Sequence, residues 1–189
     1  MRLCGFARTA AILMCLVGGQ TIAQESRWGV RTSIYQCQPI FSSEDLREGI
    51  SVAATYTVPW NRLRFRSHRA ELTIEGHYDI SNSDGYSGRA PDVVDGYGLM
   101  AFSRYRGRSR NGLAGYFEMG WGLYYSPKLS LDIDNHLSST PTLGVGVVTR
   151  TGSGREVFAG IRLMHISNGG LSKGNQGQNR LQLTLAGKL

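Results

Sequence analysis

The stretch Glu71-Leu72-Thr73-Ile74-Glu75-Gly76-His77-Tyr78-Asp79-Ile80 decides the fold class. Leu72, Ile74, Tyr78 and Ile80 fall on one parity, and Glu71, Thr73, Glu75, His77 and Asp79 on the other. Successive side chains of a strand point to opposite faces, so this beat builds a strand with one apolar and one charged face. A helical period would mix the two sets. The same beat runs through 113–125, where Leu113, Phe117, Met119, Trp121, Leu123 and Tyr125 oppose Ala114, Tyr116 and Glu118. It returns at the C-terminus, where Leu181, Leu183, Leu185 and Leu189 oppose Arg180, Gln182, Thr184 and Lys188.

Outward from these segments, strands read at 27–35, 49–58, 70–80, 93–105, 112–124, 141–149, 156–166 and 179–189. Eight is an even number, as closure into a small antiparallel barrel requires. The links at 36–48, 81–92, 125–140 and 167–178 are long, those at 106–111 and 150–155 short, and 59–69 fits either class. Long loops at one end and tight turns at the other are the layout of an eight-stranded antiparallel outer-membrane β-barrel, which is the expected fold. Closure pairs every backbone group in lipid and leaves no edge. Both chain ends then lie in the periplasm and the 167–178 loop at the cell surface. Trp60, Tyr105, Trp121 and Tyr124, near strand ends, are expected in the interfacial girdles. The competing reading is a soluble sandwich or barrel with Glu71, Glu75 and Glu118 in water. The final residue is Leu189, where outer-membrane barrels most familiarly end in Phe.

Residues 1–23 read as a secretory signal peptide: Arg2 and Arg8 precede an apolar run that ends in Thr21-Ile22-Ala23. The run is short for a membrane helix, and Ile12-Leu13-Met14 lacks the small residues expected before a lipidated Cys15. Residues 24–189 then form a single domain whose one cysteine, Cys37, cannot close an internal disulfide. The chain has 21 Lys and Arg against 14 Asp and Glu, and the leader takes only two of the basic ones. The remaining positive charge favours anionic partners. For an exported chain without an RNA-binding motif or zinc-finger spacing, those are lipid phosphates and not nucleic acid.

Polar chemistry concentrates in Arg162-Leu163-Met164-His165-Ile166-Ser167-Asn168-Gly169-Gly170, followed by Asn175-Gln176-Gly177-Gln178-Asn179. Parity with Leu163 puts His165 and Ser167 on the lipid-facing side, and parity with Leu181 puts Asn179 there from the next strand. Polar groups aimed at lipid are costly, so such a cluster asks for a reason. An imidazole beside a serine hydroxyl can accept its proton and activate it as an acyl nucleophile. Asn179 can hold the imidazole, and amides of Asn168, Gly169 or Gly170 can stabilise an oxyanion. The competing reading is an ordinary Ser-Asn-Gly-Gly turn whose polar groups meet lipid headgroups.

The segment from His165 to Asn179, with the strand pattern before it, resembles the outer-membrane lipid A 3-O-deacylases, the PagL-type family. The family's His-x-Ser-Asn core stands here as His165-Ile166-Ser167-Asn168, and its later Asn-x-Gly element as Asn175-Gln176-Gly177. The resemblance implies His165 as general base, Ser167 as nucleophile, Asn168 in the oxyanion hole and Asn175 as support for its loop. It also implies lipopolysaccharide as partner, with its ester-linked 3-hydroxyacyl chain as the bond cut, and no cofactor. The family pattern has a glutamate where this chain has Asn179. A neutral amide can orient imidazole but cannot stabilise imidazolium as a carboxylate does. Two other classes stay open: a structural or lipid-binding barrel without turnover, and a soluble periplasmic carbohydrate- or lipid-binding β-protein.

Elsewhere, His68, His77 and His136 form no zinc-ligand motif with His165 and are expected to be solvated or hydrogen-bonded. Arg104, Arg106, Arg108 and Arg110 fall at the expected periplasmic end, away from substrate. Lys128 and Lys173 lie in outer loops, where they are candidates for lipid phosphates or plain surface charges. Asp132 and Asp134 read as an ordinary polar loop in preference to a cation site.

Overall fold

The computed structural model describes residues 27–40, 43–60, 69–85, 90–169 and 177–189. The expected leader, His68, Gly170, Lys173 and Asn175 lie outside them. Among the described residues nine strand segments follow one another: β1 Trp28–Cys37, β2 Glu48–Pro59, β3 Arg69–Ser83, β4 Asp92–Arg106, β5 Leu113–Tyr125, β6 Leu137–Ser139, β7 Thr142–Arg150, β8 Glu156–Ile166 and β9 Gln178–Lys188. All pairings are antiparallel, β1 pairs with β9, and β4 pairs with β5, so the sheet closes on itself.

The barrel nonetheless has eight staves, because β6 and β7 are two pieces of one. Against β5 the pairs Leu123↔Ser139 and Gly120↔Thr142 keep a single register. Against β8, the Ser139↔Ser167 bridge continues the register of Thr142↔Met164. The interruption falls at Thr140–Pro141, where proline has no N–H to give the ladder. Sequence alone starts this strand at 141 and so misses its first piece, β6. β3 and β4 also run past the expected 70–80 and 93–105. Their polar ends, such as Asn82 opposite Val93, are held by pairing and not by propensity.

The two faces are the inverse of a water-soluble protein's. Outward, Leu99, Trp121, Val145 and Leu183 are each more than half exposed, within a continuous apolar band. Inward, Glu75, Asp79, Glu118, Arg31, Arg162 and Arg180 are buried. Such an exposed apolar surface needs lipid around it, and buried charge needs a counter-charge. Glu75 lies between Arg31 and Arg162, and Glu118 between Arg162 and Arg104. Arg180 meets Asp79 at 2.9 Å. At the end where β1 begins and β9 finishes, Arg106 joins Glu71 and Glu156, and Lys188 joins Glu156 at 2.7 Å.

Parity corrects one expectation. Tyr124 is not in a girdle: it lies between outward Leu123 and Tyr125, points inward, and donates to Asp79 Oδ1 at 3.0 Å. His77 is likewise buried in the lumen, 3.6 Å from Glu75 and 3.8 Å from Asp79.

Candidate active site

β8 carries the site because its alternation persists to its end. Arg162, Met164 and Ile166 are buried in the lumen, while Leu163, His165 and Ser167 are half-buried on the outer face. Residues two apart on a strand lie about 7 Å apart along one face, which leaves imidazole and hydroxyl on adjacent rungs. The neighbouring staves complete each rung. His165 stands opposite Asn179 on β9, and its N–H donates to the Pro141 carbonyl at 3.0 Å on the other side. Ser167 stands opposite Ser139, and Ser139 pins it from backbone N–H (2.7 Å) and from Oγ (3.0 Å), both donating to the Ser167 carbonyl.

Asn179 shares the outward parity of Leu181 yet is only 1% exposed. The first long loop covers it: Gln38 N–H donates to the Asn179 carbonyl at 2.7 Å. Asn179 Nδ2 donates to the Ile40 carbonyl at 2.6 Å. Its Oδ1 lies 2.8 Å from His165 Nδ1. Thus the three side chains expected to act together occupy one face, with His165 and Asn179 in contact.

The surrounding turns are shaped by glycine. Gly177 has φ 77°, and a β-carbon there would lie 2.5 Å from Cε1 of His165. The imidazole therefore packs on a bare backbone. Gly169 also has positive φ, at 67°, just beyond Ser167. Asn168 is buried and continues the inward beat of Met164 and Ile166.

Three features escape sequence reasoning. Pro141 and Ser139 flank the site only because β6 and β7 form one stave, a register that Thr140-Pro141-Thr142 hints at but does not fix. Ile40 acts through its carbonyl, on which its side-chain type is silent. Asp132 is not a free polar-loop residue. It is 1% exposed, and its Oδ2 accepts from Ser43 Oγ and from the Glu44 and Asp45 N–H groups at 2.6, 2.9 and 2.8 Å. Its carbonyl accepts from Gly177 N–H at 3.2 Å, so one residue ties together three long loops. Asp134 beside it is exposed. Lys128 donates to the Val93 carbonyl at 3.2 Å, and His136 Nδ1 lies 2.8 Å from the Ser126 carbonyl.

A closed eight-stave antiparallel barrel, apolar outside and ion-paired within, defines an outer-membrane β-barrel. Its backbone is similar to the crystal structure of the outer membrane enzyme PagL, with a TM-score of 0.59 and 15% identity over 84% of this chain and 97% of that one. It is similar also to Neisserial surface protein A (NspA), with a TM-score of 0.55 and 14% identity over 87% of this chain and 97% of that one. At these identities the likeness is one of fold. A family model described as lipid A 3-O-deacylase (PagL) matches residues 48–187, and the chain belongs to that family. The match spans β2 to β9 and includes His165, Ser167 and Asn179. No curated protein matches the chain.

Proposed function

We propose that this chain hydrolyses the ester-linked 3-hydroxyacyl chain at position 3 of lipid A, with Ser167 as nucleophile and His165 as general base. The observation that carries the reading is the 2.8 Å contact of His165 Nδ1 with Asn179 on the outer face of β8, one rung from Ser167. With Nδ1 so engaged, Nε2 is the nitrogen that takes the serine proton. Ser167 Oγ attacks the ester carbonyl, and the negative oxygen is met by backbone N–H groups of Asn168, Gly169 and Gly170, with Asn175 supporting the loop. Collapse breaks the ester bond, and His165 returns the proton to the departing sugar oxygen. Water then gives its proton to His165 and attacks the acyl-enzyme, releasing a 3-hydroxy fatty acid and restoring Ser167. The serine supplies the nucleophile, so the sequence of steps calls on no metal or organic cofactor.

The mature chain, beginning at Gln24, sits in the bacterial outer membrane with the site facing the outer leaflet. An acyl chain then stays in lipid while its carbonyl meets Ser167 beside Leu163 and Leu181. Purified lipid A treated with the protein should lose the mass of one 3-hydroxyacyl group. Ser167→Ala and His165→Ala should each slow that loss by at least about a thousandfold, because nucleophile and base act as one unit. Undiminished loss in both variants removes the residue assignment. Lipid A left intact by the wild type favours a lipid-binding barrel, a reading to which the neutral Asn179 also lends itself.

A further inference from the structure

The Asn179 amide has two partners of different kinds. Nδ2 faces the Ile40 carbonyl at 2.6 Å, and Oδ1 faces His165 Nδ1 at 2.8 Å. A peptide carbonyl only accepts, so the amide nitrogen must point at Ile40 and the amide oxygen at the ring. That oxygen also only accepts, so Nδ1 carries the proton and Nε2 of the neutral imidazole keeps its lone pair. The tautomer is therefore set from the first long loop and not from the strands.

That loop is held at both sides of Ile40. Gln38 N–H donates to the Asn179 carbonyl, and Ser43, Glu44 and Asp45 all donate to one oxygen of Asp132. We propose that the Ile40 carbonyl, held in place by the Asp132-anchored loop, is a positioning group that selects the tautomer of His165 through Asn179 and makes the site require a neutral amide at 179. The proposal rests on the reading of His165 as the base. A carboxylate at 179 would set oxygen against oxygen at Ile40 with no proton between them. Either the loop withdraws or the carboxylate turns from the ring. Asn179 is on this account a matched partner of the loop, not a weakened acid.

The test combines imidazole ¹⁵N NMR of the folded barrel in detergent micelles, with His165 assigned by its loss in His165→Gln, and lipid A deacylation. Wild type should show the Nδ1–H tautomer. Asp132→Ala, which removes the carboxylate that anchors the loop but keeps the backbone carbonyl bonded to Gly177, should give a tautomer mixture and lower kcat about tenfold, the scale of one lost hydrogen bond. Asp132→Asn keeps an acceptor oxygen and should restore the Nδ1–H signature. Asn179→Asp should lower kcat at neutral pH by about tenfold or more, with KM little changed. An Asp variant at 179 as active as wild type overturns the proposal, as does an unchanged Nδ1–H signature in Asp132→Ala. If wild type leaves lipid A intact, the deacylase reading fails, while the NMR comparison still decides the positioning claim.

Discussion

Gly177→Ala is expected to slow deacylation about a hundredfold while the barrel stays folded. The new β-carbon would lie 2.5 Å from Cε1 and 2.9 Å from Nε2 of His165, and 3.2 Å from the Ile166 carbonyl. A ring at the end of a side chain can swing away more easily than backbone can move, so the imidazole leaves Asn179 and the serine loses its base. Misplacement on this scale is costly to reactions that depend on alignment. The backbone adds a smaller cost, because alanine at φ 77° sits in the left-handed region, at about 1–2 kcal/mol. Gly154→Ala is the matched control. It shares the strain, with φ 81°, but has nothing within 4 Å of the new β-carbon and lies in the turn between β7 and β8. Activity measured by lipid A mass, beside thermal unfolding in detergent, should separate the two: similar destabilisation, with loss of activity at 177 alone. Equal activity in both variants would show that the ring does not need its seat on Gly177.

The staves were legible because a charged lumen and a lipid-facing wall impose opposite chemistry on alternate residues, as Glu71–Ile80 displays. The outward beat of His165 and Ser167 followed from Leu163 for the same reason. Where the alternation involves residues that suit either face, legibility ends. Tyr124 reads as a girdle aromatic by residue type, but its parity, shared with lumen-facing Glu118, turns it inward, where it donates to Asp79. Leu137–Ser139 reads as loop because three residues before a proline carry no periodicity. Its strand character comes from the edges that β5 and β8 would otherwise leave open. The loop contacts at the site are less legible still. Ile40 acts through its backbone, and Asp132 through a carboxylate that meets chain nearly ninety residues away. Neither leaves a local pattern.

The largest effect on stability is expected in the lumen, at Glu75. Its carboxylate is fully buried and accepts from Arg31 on β1 and Arg162 on β8, the two staves that flank β9. Glu75→Ala leaves two buried guanidinium groups facing the space it vacates, and removal of one member of a buried ionic cluster typically costs about 3–5 kcal/mol. The two arginines are not equally exposed to that loss. Arg162 keeps its bond to Glu118, whereas among the described residues Arg31 keeps hydrogen bonds to neutral groups, Ser33 at 2.9 Å and Gln182 at 3.3 Å. Glu75→Gln, which retains an acceptor but no charge, should therefore cost less than Glu75→Ala. The pair Glu75→Leu with Arg31→Met should recover most of the loss, because it removes the orphaned charge together with its partner. Urea unfolding midpoints in lipid vesicles would check this order; a Glu75→Ala barrel as stable as wild type would mean that hydration, not ion pairing, satisfies the lumen. Because Arg162 and His165 lie on opposite faces of β8, the surviving folded fraction should keep its deacylation rate per molecule. Ion pairs inside the wall would thereby set how much barrel exists, and the outer rung of His165, Asn179 and Pro141 what each barrel does.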